Sequence, residues 1–136
     1  MTQFDELYKA GVLKIMNEGY DEYNERTGHV CKVIPGMTFE LDQGFPLLTL
    51  RKIPIKIFVA EQIWFVMGSQ HPQDFVDKFT KIWQDFTEED GTIPAAYGYR
   101  WREAFGRDQL GLLVKHLQEN PGSRHGVIIT WDPRED

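Results

Sequence analysis

Glu61 stands inside the apolar run Phe58-Val59-Ala60-Glu61-Gln62-Ile63-Trp64-Phe65-Val66. A carboxylate is costly to bury there unless it is protonated, paired or hydrogen-bonded. Two readings stay open on periodicity alone: an exposed stripe shared with Lys56 or Gln62, or a proton-handling group with a raised pKa lining a pocket. The arginines Arg26, Arg51, Arg100, Arg102 and Arg124 form a second group, and a guanidinium fork is suited to an anion. Arg26 falls on a predicted loop between Asn24-Glu25 and Thr27-Gly28, and Arg124 opens a predicted strand at a sheet edge, after Pro121-Gly122. A solvated surface position is the ordinary role for any one of them. Tyr97, Tyr99 and Trp101 interleave with Arg100 and Arg102, offering faces that could stack on a flat heterocycle, with core packing the default. His29, His71, His116 and His125 form no i,i+4 pair and complete no metal pattern, so zinc is not expected. No nucleophile elbow, phosphate loop or dinucleotide fingerprint is present.

The elements that must carry these residues belong to a chain of 136 residues, 41% hydrophobic and 13% aromatic, which suits a single domain over residues 1–136. At that length a core forms without a disulfide framework or structural metal, consistent with the solitary Cys31. Fifteen basic and 21 acidic residues give a net charge of -6, the wrong sign for a nonspecific DNA-binding surface. A small anion can still be held by a few placed arginines. The N-terminus MTQFDELYKAGV has acids where an export signal needs basic residues. The stretch from Ile53 to Met67 is broken by Pro54, Lys56, Glu61 and Gln62, short of the roughly 20 apolar residues of a membrane span. A soluble, cytoplasmic protein is expected.

Phe4, Leu7, Tyr8, Val12, Ile15 and Met16 keep a helical period and predict a first helix over 4–17, stopping at Gly19. Residues 29–41 alternate around Pro35-Gly36, predicting two short strands or one bulged strand. A helix over 55–67, opened by Pro54 and closed by Gly68, is apolar most of the way round and is expected to be substantially buried. Phe75, Phe79, Ile82, Trp83 and Phe86 predict an amphipathic helix beginning near Pro72. Leu110, Leu113, Val114 and Leu117 predict another, which ends at Asn120-Pro121-Gly122. His125 to Trp131, rich in β-branched residues, predicts a buried strand. The class is α+β, with a mixed sheet packed against helices.

Taken in order, several segments resemble the N-terminal half of the thymidylate synthase and deoxycytidylate hydroxymethylase family. They are Arg26-Thr27-Gly28; Asp42-Gln43-Gly44-Phe45-Pro46-Leu47-Leu48-Thr49; Glu61-Gln62-Ile63-Trp64-Phe65; Ile82-Trp83; Tyr97-Gly98-Tyr99-Arg100-Trp101-Arg102; Asp108-Gln109; Asn120-Pro121-Gly122-Ser123-Arg124; and Trp131-Asp132-Pro133. Each motif alone is weak, but the ordered set covers nearly the whole chain. The resemblance implies an incomplete fold of that type and methyl transfer from 5,10-methylenetetrahydrofolate to deoxyuridylate or a related pyrimidine nucleotide. It implies that Glu61 relays protons at the pyrimidine and that Tyr97 supports the proton steps beside a cysteine nucleophile. By the same resemblance Arg26 closes on the nucleotide phosphate, and Arg124 reaches the partner subunit's phosphate in an obligate homodimer. Ile82 and Trp83 would contact the folate ring system, Arg51 would meet its glutamate tail, and Trp101 would pack the pocket wall.

Two departures qualify that transfer. His125 stands where the family usually has a second arginine, so a permanent charge is lost or a titrating one gained. The family's nucleophilic cysteine follows the segment that Trp131-Asp132-Pro133 resembles, beyond Asp136, and Cys31 aligns with an early strand. The isolated chain is therefore expected to be inactive and to need a complementary C-terminal segment, its cut sheet favouring tight association. A noncatalytic nucleotide- or folate-binding or interaction module, or a hydroxymethylase fragment, is the competing reading.

Overall fold

The computed structural model describes residues 2–42 and 44–134. Gln43, within the motif beginning at Asp42, lies outside the described residues, as do Met1, Glu135 and Asp136. The chain divides into two compact units, Met1–Ile53 and Pro54–Asp136.

In the first unit, α1 spans Gln3–Glu18, in line with the expected periodicity. Its start is a capping box: the Thr2 hydroxyl accepts from the Asp5 amide, and the Asp5 carboxylate accepts from the Thr2 amide at 2.8 Å. The same buried carboxylate accepts from the Thr49 amide at 2.7 Å and the Thr49 hydroxyl at 2.6 Å, tying the helix start to the irregular segment before Ile53. The Thr49 hydroxyl is the largest cause holding the Asp5 carboxyl far below the usual carboxylate range. The ordinary unfolded value is about 3.9. Stability from this group is thus fully present above that pH and is lost as pH falls toward the depressed folded value. Acidification from pH 6 to 3 is expected to weaken the hydrogen-exchange protection of the Thr49 amide only in part, because the folded carboxylate is still ionised at pH 3, with the rest of the loss at lower pH. Asp5→Asn should remove that acid dependence; a variant that keeps it would assign the transition to another carboxylate.

Strands β1, Tyr20–Asn24, and β2, His29–Val33, form an antiparallel hairpin with Tyr20 opposite Val33 and Asn24 opposite His29. Asn24 builds the turn: its side chain accepts from Thr27 and its carbonyl from Gly28, whose φ of 69° suits glycine. Only half of the expected strand pattern over 29–41 forms strand; residues 34–42 carry no regular structure. The sheet among the described residues is this one pair, so the architecture is α+β with a small sheet.

In the second unit, α2 spans Ile55–Met67 and ends at Gly68, which adopts φ 77° as a left-handed cap. Ile57, Ala60, Glu61, Trp64, Phe65 and Gly68 form its covered face. The opposite face, with Phe58, Val59, Ile63, Val66 and Met67, is exposed. The expectation that α2 is largely buried is corrected: one stripe packs and the other, equally apolar, meets solvent.

Residues 72–86 do not form the expected amphipathic helix. They fold as three short 3₁₀ turns, Pro72–Asp74, Val76–Lys78 and Gln84–Phe86. Spacings of three, Val76 to Phe79 and Trp83 to Phe86, suit a 3₁₀ turn as well as an α-helix. The amides of Phe79 and Phe86 close those turns on the carbonyls of Val76 and Trp83.

A six-residue helix, α3 (Tyr97–Arg102), packs on α2 through Gly98. A Cβ on Gly98 would lie 2.0 Å from the Phe65 carbonyl oxygen. Because that obstacle is backbone, Gly98→Ala must push the two helices apart, and a loss of about 3 kcal/mol is expected, the top of the usual overpacking range. Urea denaturation checks this; an unchanged midpoint would refute the close approach.

Helix α4, Gln109–Glu119, is capped by the Asp108 side chain accepting from Gly111 at 2.8 Å. The expected strand over 125–131 and the sheet-edge position of Arg124 are not found: this segment carries no regular structure. Its pairing is done by side chains instead. Gln109 Oε1 accepts from the Ile129 amide and Gln109 Nε2 donates to the Ile129 carbonyl, both at 3.0 Å. Arg100 Nη1 donates to the Thr130 carbonyl at 2.8 Å, and Trp101 Nε1 to the Thr130 hydroxyl at 2.9 Å. Beyond them the Asp132 carboxyl is drawn down to about 2, chiefly by hydrogen bonds from Arg134. No helix among the described residues is long and apolar enough to cross a membrane.

Candidate functional site

Helix periodicity puts Glu61 one residue after buried Ala60 and three before Trp64, on the covered face of α2. The stripe shared with Lys56 or Gln62 is thereby set aside, since both of those residues are exposed while Glu61 is half-buried. Glu61 Oε1 accepts from Trp83 Nε1 at 2.9 Å. A carboxylate acceptor makes this stronger than a neutral hydrogen bond, on the order of 1.5–3 kcal/mol. Oε2 has no hydrogen-bond partner among the described residues.

Trp83 is held from several sides. Its ring lies 5.2 Å from Trp64, 5.8 Å from Phe65 and 6.1 Å from Tyr97, the last two edge-on at 88°. Tilted or edge-on pairs of this kind add about 0.5–1.5 kcal/mol each beyond area burial. The Thr87 hydroxyl donates to the Trp83 carbonyl at 2.9 Å, and Trp64, fully buried, donates to the His71 carbonyl at 3.2 Å. The indole is therefore fixed in plane and position before any ligand arrives.

Beside it opens an apolar hollow of about 240 Å³ lined by Ile82, Trp83, Phe86, Ile93, Ala95 and Tyr97. Complete drug-sized ligands need roughly 300–1,000 Å³, so this space accepts a flat ring rather than a whole large molecule. Three expected residues, Ile82, Trp83 and Tyr97, meet here, with Glu61 joined through its hydrogen bond to the indole. Tyr97 is half-exposed and its hydroxyl has no partner among the described residues. Trp101 packs edge-on against Phe65 at 6.1 Å, while Arg100, expected in solvent, is buried at 4% exposure.

The other expected residues lie elsewhere. Arg124 is exposed after the turn that follows α4 and does not line the hollow. Arg26, on the β1–β2 turn as expected, and Arg51, on an exposed bend, both belong to the first unit. Phe86, Ile93 and Ala95 were not foreseen as lining. The spacing of Phe86 three residues after Trp83 was the available signal, whereas Ile93 and Ala95 follow a turn with no periodicity to mark them. Among the described residues no group of His, Cys, Asp or Glu could hold a metal ion.

A small α+β fold with a carboxylate tied to an indole above a ring-sized apolar hollow defines the class, and the fold itself is that of thymidylate synthases. The chain superposes on the thermostable thymidylate synthase A from Bacillus subtilis with a TM-score of 0.80 and 28% identity, covering 98% of this chain and 54% of that one. The thymidylate synthase family model matches residues 6–136, so the chain belongs to the thymidylate synthase family. A thymidylate synthase of Francisella tularensis subsp. holarctica is 36% identical over 125 residues, 89% of this chain and 46% of that protein. The Francisella philomiragia thymidylate synthase is 35% identical over the same coverage. The chain thus resembles the N-terminal half of its family and spans about half the length of these curated relatives.

Proposed function

We propose that residues 1–136 form the N-terminal portion of a cytoplasmic thymidylate-synthase-type methyltransferase domain and contribute the folate-facing wall and a proton relay to conversion of deoxyuridylate to thymidylate. The observation that carries this reading is the Trp83–Glu61 hydrogen bond at the rim of the apolar hollow. It sets a flat aromatic wall and a carboxylate side by side, the pairing needed to hold a ring and handle protons next to it. Bound 5,10-methylenetetrahydrofolate supplies the one-carbon unit and the reducing hydride. Trp83 and Ile82 offer its ring system a surface, and the size and apolar lining of the hollow fit such a ring. Arg51 is assigned to the anionic glutamate tail.

Glu61 Oε2 is the open position from which a proton is passed, through ordered water, toward the pyrimidine; Tyr97 assists with its unpartnered hydroxyl. Arg26 and Arg124 are assigned to the nucleotide phosphate, Arg124 across a homodimer interface, because a guanidinium fork matches phosphate oxygens. Cys31 is exposed on β2. The sulfur nucleophile is assigned instead to sequence corresponding to the remaining half of the relatives, in the same or a complementary chain.

A chimera joining residues 1–136 to the C-terminal half of the Francisella tularensis enzyme tests the reading. Methylenetetrahydrofolate-dependent release of tritium from C5 of labelled deoxyuridylate is expected. A chimera that folds and dimerises yet releases none would overturn it.

A further inference from the structure

The turn from Glu88 to Thr92 joins two walls of the ring-sized hollow, Phe86 before it and Ile93 and Ala95 after it. The turn is braced from within. The Glu88 amide donates to the Thr92 carbonyl at 2.8 Å and the Gly91 amide to the Glu88 carbonyl at 2.9 Å, while Asp90 Oδ1 accepts from the Thr92 amide at 2.9 Å and from its hydroxyl at 2.7 Å. A pull applied at Gly91 is therefore passed on to Ile93, whose own amide donates to the Gln70 carbonyl at 2.8 Å.

His71 supplies the hold on Gly91. Its Nδ1 lies 3.3 Å from the Gly91 carbonyl oxygen and 3.3 Å from Gln73 Nε2, and Gln73 Nε2 donates to the same carbonyl at 3.2 Å. Gly91, at φ 85°, comes so close that a Cβ there would lie 2.9 Å from Gln73 Nε2. The histidine backbone is anchored separately, its amide donating to Ser69 Oγ at 2.9 Å and its carbonyl accepting from buried Trp64 at 3.2 Å.

That triangle of polar atoms has two arrangements, set by one proton. With Nδ1 bare, the two protons of the Gln73 amide nitrogen serve Nδ1 and the Gly91 carbonyl together. With Nδ1 protonated, the ring donates to the carbonyl itself, and Gln73 Nε2, now facing a second donor, must withdraw. A charge-assisted bond is also shorter and about twice as strong as a neutral one, and the turn it pulls on carries Glu88, Glu89 and Asp90. Thr92 hydrogen bonds hold the Asp90 carboxyl below its ordinary range, and the imidazole adds to this, so Asp90 stays charged while imidazoles titrate. The other acid beside His71 is Asp74, which accepts from Ser69 Oγ at 2.5 Å. From α2 His71 meets the uncharged Trp64 indole, while Arg100 and Arg134 gather with Asp132 in a cleft that His71 does not line.

We propose that His71 is a proton-operated clasp: on taking up a proton it draws the 88–92 turn toward itself and shifts the Ile93 wall of the hollow. A flat ring then meets a wall whose position depends on pH. The clasp needs the hollow only as a space, whatever fills it, and so does not depend on the methyltransferase reading.

NMR of the full chain from pH 8 to 5.5, with labelled amides and methyl groups, tests this. The Gln73 side-chain amide, the Gly91 amide and the Ile93 methyls are expected to shift along one curve with the His71 ring. His71→Gln should flatten that curve at Gly91 and Ile93 and leave the ring titrations of His29, His116 and His125 in place. Gln73→Leu, at an exposed position, removes the bridge of the neutral arrangement and should enlarge the Ile93 shift. The proposal is overturned by a His71 ring that does not titrate in this range, by Ile93 methyls that stay silent while it does, by their continued titration in His71→Gln, or by an unaltered Ile93 shift in Gln73→Leu.

Discussion

Glu61→Gln is expected to lower the turnover of the chimeric enzyme by two to four orders of magnitude, the range associated with removing a positioned general acid or base. Glutamine is nearly isosteric, and its carbonyl oxygen can still accept from Trp83 Nε1, so the 2.9 Å contact that fixes the indole has a replacement. What disappears is the capacity to take up and release a proton at the free oxygen. Binding of nucleotide and folate should therefore change by less than about threefold, because the ring wall keeps its geometry. Steady-state tritium release, read beside ligand titrations, separates the two quantities. A rate equal to that of the parent would eliminate the relay. An equal loss of binding and rate would make Glu61 a structural partner of Trp83 alone.

Trp64→Ala should have the largest effect on stability. Trp64 is completely buried, anchors the small core with Val76, Ile93 and Ala96, and touches both Phe65 and Trp83. Truncating such a side chain costs about 3–5 kcal/mol, a large part of a typical domain's 5–15 kcal/mol. For a unit of this size each kcal/mol moves the melting midpoint by about 4–8 °C, so a drop exceeding about 12 °C is expected by calorimetry. Trp64→Phe keeps one aromatic ring but loses part of the indole's volume and leaves the His71 carbonyl without its indole donor, and should fall between, near 1–3 kcal/mol. Val66→Ala, on the exposed face of the same helix, should stay within about 0.5 kcal/mol. Equal losses at Trp64 and Val66 would contradict the two-faced description of α2.

What could be read in advance followed the physics that leaves a periodic trace. Helices α1 and α4 announce themselves through helical spacing of apolar residues that stops at Gly19 and at Asn120-Pro121-Gly122, and α2 through an apolar run bounded by Pro54 and Gly68; all three are found. The hairpin strand β1 was missed because Tyr20 to Tyr23 are exposed throughout, so no face needed an apolar pattern. The 72–86 region misled because spacings of three and four cannot distinguish an α-helix from successive 3₁₀ turns. The stretch 125–131 has strand composition, yet the Gln109 amide serves Ile129 where a strand ladder was expected, a substitution that no local pattern reveals. In the candidate site, Glu61 drew notice through its apolar surroundings, but its two readings could be separated only by seeing which stripe of α2 is covered. Its bond to Trp83 spans 22 positions, beyond any local spacing rule.

The outward stripe of α2 has a thermodynamic consequence of its own. Five large aliphatic or aromatic side chains from Phe58 to Met67 are between 41% and 55% exposed, and full burial of such a group is worth about 1.5–3 kcal/mol. Water is therefore a poor solvent for that side of the helix, and dilution, cold or chaotropes should ease what concentration, warmth and excluded cosolvents aggravate. That stripe adds to other exposed apolar side chains, Phe45, Val127 and Trp131 among them, so adhesion through several apolar surfaces is expected.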